Sequence, residues 1–184
     1  MIKAKDKVLR RLNNIISMRT MVFLQPIDAV DPKVLSYLKD SLASIWPITV
    51  NNPIDVPKKA YNKWRNQYDG SALLDALPDN EGVTLGVTEV DAYVEGLNFI
   101  FGLASTRKAL ISLMRLRPEF YGLTEDKDLL NQRALKEAVH ELGHVFGLNH
   151  CPNKRCVMHF SNSIWDTDFK DSKFCASCRR HLTI

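Results

Sequence analysis

Long apolar runs are missing from this 184-residue chain, and so are cysteines until residue 151. The longest runs, such as Ala109-Leu110-Ile111-Ser112-Leu113-Met114, fall far short of the roughly 20 residues that cross a bilayer, so no membrane span is expected. Repeats and low-complexity segments are absent as well. The net charge is only +4, and its distribution is uneven: the first twenty residues carry +5 and the remainder −1. A neutral body offers no basic face to nucleic acid. The basic start does not read as a signal peptide, because Asn13-Asn14-Ile15-Ile16-Ser17 is no apolar core and Arg19 follows it. The expected compartment is therefore the cytoplasm. With 45% hydrophobic and 25% charged residues, the composition is that of an ordinary globular protein and excludes disorder, collagen and coiled coil. The length suits one domain.

Periodicity gives a coarse layout. Val8, Leu9, Leu12, Ile15 and Ile16 mark a helix over 3–19 with a basic outer face, read as packed on the domain rather than as a membrane or nucleic-acid arm. A short strand over 21–24 follows. Asp31-Pro32 starts a helix running to about Ile45, with Asp as cap and Pro in the first turn. Ile48–Val50 reads as a strand, and 51–80 as a long loop with helix over 61–68 and 71–77. Three β-like runs, 82–87, 94–104 and 110–116, precede one long helix and a cysteine-rich tail.

That helix ends in His140-Glu141-Leu142-Gly143-His144-Val145-Phe146-Gly147-Leu148-Asn149-His150, an H-E-x-x-H-x-x-G-x-x-H pattern. At 100° per residue, Leu135, Ala138, Val139, Leu142, Val145 and Phe146 form one apolar stripe, while His140 and His144 project together from the opposite side. Gly147 can take φ > 0 and turn the chain back, so that His150 returns to the pair. Three neutral imidazoles with one open position suit a catalytic zinc, and Glu141 stands beside them to take a proton from zinc-bound water. Histidines satisfied at the surface are the alternative.

Cys151-x4-Cys156 and Cys175-x2-Cys178 form two pairs within 28 residues. Four thiolates suit a closed structural zinc, and two disulfides are the alternative. Because Cys151 follows His150 directly, a metal on the cysteines would also fix the backbone presenting the third histidine.

These residues carry a family resemblance. The H-E-x-x-H-x-x-G-x-x-H signature resembles that of metzincin metallopeptidases. The cysteines placed after it, with Cys156-Val157-Met158, resemble the archaemetzincin branch from His140 to Cys178; the 16-residue spacer from Met158 to Cys175 is one residue shorter than the family's usual length. The resemblance implies an α/β fold of α+β type, with a twisted mixed sheet backed by helices, an active-site helix and a short C-terminal zinc-stabilised subdomain. It implies a single metallopeptidase domain over 1–184, divided into 1–147 and 148–184. It further implies two zinc ions, one catalytic on His140, His144 and His150 and one structural on Cys151, Cys156, Cys175 and Cys178. Glu141 would be the base and Met158 an apolar floor beneath the ligands.

Some metzincins place an oxyanion-stabilising tyrosine after that methionine, but the last tyrosine here is Tyr121. His159, Asn162 and His181 are the downstream candidates, each read first as structural. No upstream cysteine is present to block the metal. Trp165, Asp166 and Asp168 read as a solvated loop, with a carboxylate bonded to a ligand histidine as the alternative. The expected partner is a peptide or protein substrate, with no nucleic acid, no membrane and a monomeric chain. The rivals are a catalytically silent zinc protein that binds peptides or a partner, and a zinc-ribbon nucleic-acid binder using Lys170, Lys173, Arg179 and Arg180.

Overall fold

The computed structural model describes residues 19–182; the helix expected over 3–19 lies outside them. Strand β1 (Val22–Ile27) is followed by helix α1 (Pro32–Leu42), β2 (Ile48–Val50), β3 (Tyr61–Asn62), β4 (Gln67–Asp69), α2 (Gly70–Ala76), β5 (Val83–Thr88) and β6 (Ala92–Tyr93). Then come β7 (Gly102–Ala104), β8 (Lys108–Ser112), the long α3 (Lys127–Val145), α4 (Ile164–Phe169) and α5 (Ala176–His181). The main sheet has the order β2-β1-β5-β8-β7. Its first four strands are parallel, and β7 runs antiparallel along one edge. A second sheet of order β3-β4-β6 lies beside it.

Burial follows from these positions. Every residue of the central strand β5 is buried, as a parallel strand covered on both faces requires. Along β8 the pleat sends Ala109 and Ile111 to one core with α1 and α3, and Leu110 to a second core with Leu73, Leu74 and Leu77 of the α2 segment. Helix α1 starts as its sequence dictates: the Asp31 carboxylate accepts the Lys33 N–H at 2.9 Å, with Pro32 in the first turn. The mixed sheet backed by helices matches the expected fold class.

Three local expectations are corrected. Residues 61–68 form a hairpin rather than a helix. The Asn62 side chain accepts the Trp64 and Arg65 N–H groups, Asn66 takes φ of 52°, and Tyr61 packs across on Tyr68 at 5.1 Å. The β-like run 94–104 is strand only at Gly102–Ala104. The strand expected over 110–116 spans Lys108–Ser112 and then coils into a 3₁₀ turn at Met114–Leu116. There Arg115 and Arg117 reach back to Asp91 and Glu89 in paired hydrogen bonds of 2.6–3.0 Å.

Candidate metal centres

Helix α3 begins at an Asp126 cap and ends on Gly147, whose φ is 90°. Gly147 N–H donates to His144 O at 3.0 Å and Leu148 N–H to Gly143 O at 2.9 Å, the paired bonds of a left-handed helix stop. The turn brings the exposed His150 back: its ring lies 4.7 Å from that of His144 and 5.4 Å from that of His140. The three histidines each offer a nitrogen within 4.8 Å of the others.

The tautomers follow from the backbone. His140 Nδ1 faces Val157 O at 2.7 Å and His144 Nδ1 faces Leu148 O at 2.8 Å. A carbonyl only accepts, so each Nδ1 carries the proton and each Nε2 presents a lone pair. Those two Nε2 atoms stand 3.1 Å apart. Two nitrogens on a tetrahedral zinc would be about 3.3 Å apart, given the usual Zn–N length, so the donor set fits. Burial, followed by the charge of Lys170, pushes His140 down to about 4; His144 and His150 are lowered too, chiefly by burial. All three are neutral at neutral pH, the state a metal ligand needs.

The helix face opposite the apolar stripe, from which His140 and His144 project, is itself covered. His140 is 4% exposed and Glu141 6%. The tail after Gly147 folds over them, and a Cβ on Gly143 would collide with the sulfur of the fully buried Met158. Gly102 of edge strand β7 leaves no room for a Cβ against the Glu141 carboxyl. The Glu141 side chain makes no hydrogen bond or ion pair with any described residue, and it lines a cavity of about 310 Å³ together with Gly102 and His140. Burial, reinforced by Glu137 and opposed by Lys170, raises its pKa well above the carboxylate range; a bound cation would act in the opposite sense.

Cys151, Cys156, Cys175 and Cys178 form a second cluster, again within 4.8 Å. The Cys151–Cys175 and Cys156–Cys178 sulfurs are 3.9 and 3.7 Å apart, and all four thiols are free. A disulfide needs about 2.05 Å, whereas sulfurs on a tetrahedral zinc stand about 3.8 Å apart. The spacing fits the metal and sets the disulfide alternative aside. The two clusters share backbone. Cys151 N–H donates to Met158 O at 2.8 Å, His159 Nδ1 bonds Cys151 O at 2.9 Å, and Val157, between Cys156 and Met158, supplies the carbonyl that orients His140.

The remaining sequence candidates divide. Asp166 caps α4 and Asp168 pairs with the buried Arg133, both contacts at 2.7 Å, so neither reaches a ligand histidine. Their segment is a helix rather than a solvated loop, although Trp165 is exposed. Lys170, which only the nucleic-acid rival needs at the surface, is 1% exposed and pairs with Glu137 at 3.0 Å. His181 bonds Ser177 O and shares a second cavity with His150, while Asn162 lines the cavity beside Glu141. Sequence reasoning missed the Val157 and Leu148 carbonyls, Gly102 and the Glu137–Lys170 pair, none of which has a local signature.

A helix presenting two histidines and a glutamate, with a third histidine returned by a glycine turn under an edge strand, defines a zinc metallopeptidase. Residues 28–183 match the model of peptidase family M54. The chain is 51% identical over 164 residues to the archaemetzincin of Methanocaldococcus jannaschii, covering 88% of this chain and 92% of that one. It is 50% identical over 179 residues to the archaemetzincin of Pyrococcus furiosus, covering 90% and 93%. Among solved structures, the archaemetzincin of Archaeoglobus fulgidus complexed with malonate superimposes with a TM-score of 0.79 at 41% identity, over 88% of this chain and 99% of that one. The chain belongs to peptidase family M54, the archaemetzincins.

Proposed function

We propose that the protein hydrolyses peptide bonds at the three-histidine site and holds a second, structural zinc on its four cysteines. The observation that carries this reading is the pair of Nε2 atoms, oriented by two backbone carbonyls and adjoining an unpaired glutamate in a cavity. His140, His144 and His150 would hold the zinc, which when bound supplies an acidic water and polarises the scissile carbonyl. Edge strand β7 offers a peptide a backbone to pair with, and Gly102 lets that peptide approach Glu141. Glu141 takes the proton of the attacking water and later returns it to the leaving amine. Its lack of any other partner leaves the carboxylate free for both transfers. Of the four cations of the nucleic-acid reading, Lys170 is committed to a buried ion pair, while Lys173, Arg179 and Arg180 are exposed; that reading still offers no account of His140, Glu141 and His144. The protein is proposed to act as a monomer in the cytoplasm; among the described residues no helix is long and apolar enough to cross a membrane.

The test is a diverse peptide mixture incubated with zinc-loaded protein at neutral pH and read by mass spectrometry, with Glu141→Ala in parallel. The wild type should cut, and the variant should lose about a thousandfold in rate while keeping its zinc. Retained turnover in the variant would overturn the role of Glu141. Silence from fully loaded wild type would instead favour the catalytically silent peptide binder.

A further inference from the structure

Residues 97–101 form one wall of the cavity beside Glu141 and have no helix or strand of their own. Backbone bonds tie the later part of this wall to β6 and β8: Ile100 N–H donates to Ala92 O, and Phe101 O accepts from Ser112 N–H, both at 2.9 Å. The carbonyls of Leu97 and Asn98 are taken by side chains instead. Arg65 Nη2 donates to both at 3.1 Å, and Gln67 Nε2 donates to Asn98 O at 2.9 Å. The ring of Phe99 is held differently: the Arg115 guanidinium carbon lies over it at 4.5 Å and over Phe120 at 4.7 Å. Phe99 in turn meets Phe101 edge-on at 5.1 Å.

The two holds converge on Asp91. Its carboxylate accepts Arg115 Nε at 2.6 Å, Arg115 Nη2 at 2.8 Å and Gln67 Nε2 at 3.1 Å. Gln67 is 6% exposed, and its amide is fully engaged. The nitrogen donates to Asp91 and Asn98, while Oε1 accepts Arg65 Nε at 2.9 Å. None of Arg65, Gln67, Asp91 and Arg115 lines the cavity itself.

We propose that Gln67, Asp91 and Arg115 are positioning residues, which hold the 97–101 wall in place beside Glu141 and so set how tightly a peptide is bound. The proposal rests on the peptidase reading above and adds to it the groups that keep the substrate cleft in shape. The network demands these side-chain types. A carboxylate at 67 would face Asp91 and a carbonyl with no proton to offer. A lysine at 115 keeps the charge but loses the planar fork and its stacking on two rings. The wall carries no reacting atom, so loosening it removes binding shared by substrate and transition state: KM rises while kcat holds.

The test compares zinc-loaded wild type with Gln67→Glu, Arg115→Lys and Arg65→Ala in two readouts. The first is amide exchange at Ile100, followed by NMR with β5 as internal reference. It should quicken about tenfold in Gln67→Glu and Arg115→Lys, the worth of one net hydrogen bond, and about threefold in Arg65→Ala, with β5 unchanged. The second is kcat and KM for one peptide that the wild type cuts in the mixture above. KM should rise by about the same factors, with kcat within about twofold of the wild type. Arg65 is exposed, so Arg65→Ala should keep its fold and carries the comparison if a more buried variant does not. Unchanged exchange at Ile100, an unchanged KM despite quicker exchange, or a fall in kcat alone would each overturn the positioning role. A wild type that cuts nothing would sink the peptidase reading and the KM claim with it. Exchange needs no substrate, and would still decide whether the network holds the wall.

Discussion

From β1 to the end of α3 the chain buries aliphatic side chains on both faces of a five-stranded sheet. From 148 to 182 its only helices among the described residues are two of six residues each. In the first region stability comes from apolar area: Val22, Leu24, Val83, Leu85, Val87 and Ile111 are fully buried, each worth about 1.5–3 kcal/mol. The second region buries fewer apolar groups and is fastened instead by polar ties to α3. Arg133 grips Asp168 and the Leu116 carbonyl, Lys136 caps the Thr167 and Asp168 carbonyls, and Glu137 holds Lys170 and Thr167. A turn later on the same helix, His140 takes the Val157 carbonyl. One helix is thus read by the sheet through its apolar stripe and by the tail through its polar one. The difference leads us to propose that the tail aims the imidazoles and that a metal on its four cysteines would hold it closed.

Removing the metal proposed for the cysteine site should divide the molecule most sharply. Structural zinc supplies on the order of 10 kcal/mol in small sites. Chelation should therefore strip amide-exchange protection from 148–182 while β1, β5 and β8 keep theirs. Uniform loss of protection across both regions would erase the contrast. Smaller, but still severe, is the loss of one tie: Lys170→Ala leaves Glu137 buried without its cation and should cost about 3–5 kcal/mol in denaturant unfolding. A cost below 1 kcal/mol would show that the tail does not lean on this pair. Gly147→Ala should be the mildest, about 1 kcal/mol from the φ of 90° alone. Its sharper readout is the metal site, since His150 is presented by that turn. An unchanged zinc affinity at the histidines would separate the turn from the ligand geometry.

What was legible in the sequence follows the same division. The Asp31-Pro32 cap, the strand character of 82–87 and the His140–His150 spacing are local, so a periodicity or a short pattern exposes them. The cysteine pairing with metal-like spacing was legible for the same reason. The hairpin at 61–69 was hidden because aromatic and basic residues there mimic a helical face, and the deciding groups are the side chain of Asn62 and the left-handed Asn66. The burial of His140 and Lys170 was invisible because their partners, Val157 and Glu137, lie 17 and 33 positions away. A wheel drawn for α3 alone shows which residues oppose the apolar stripe; it contains nothing about what covers them.

The central claim, that the cysteine cluster aims the histidines, is tested most directly by zinc affinity at the histidine site of a Cys175→Ser/Cys178→Ser variant. Competition with a chromophoric chelator would measure it, with the wild type alongside. Loss of the groups that orient a ligand usually weakens a metal site by about 10–100-fold, and a fall of at least that size is predicted here. A histidine site as tight in the variant as in the wild type would contradict the account and leave the two centres as independent neighbours.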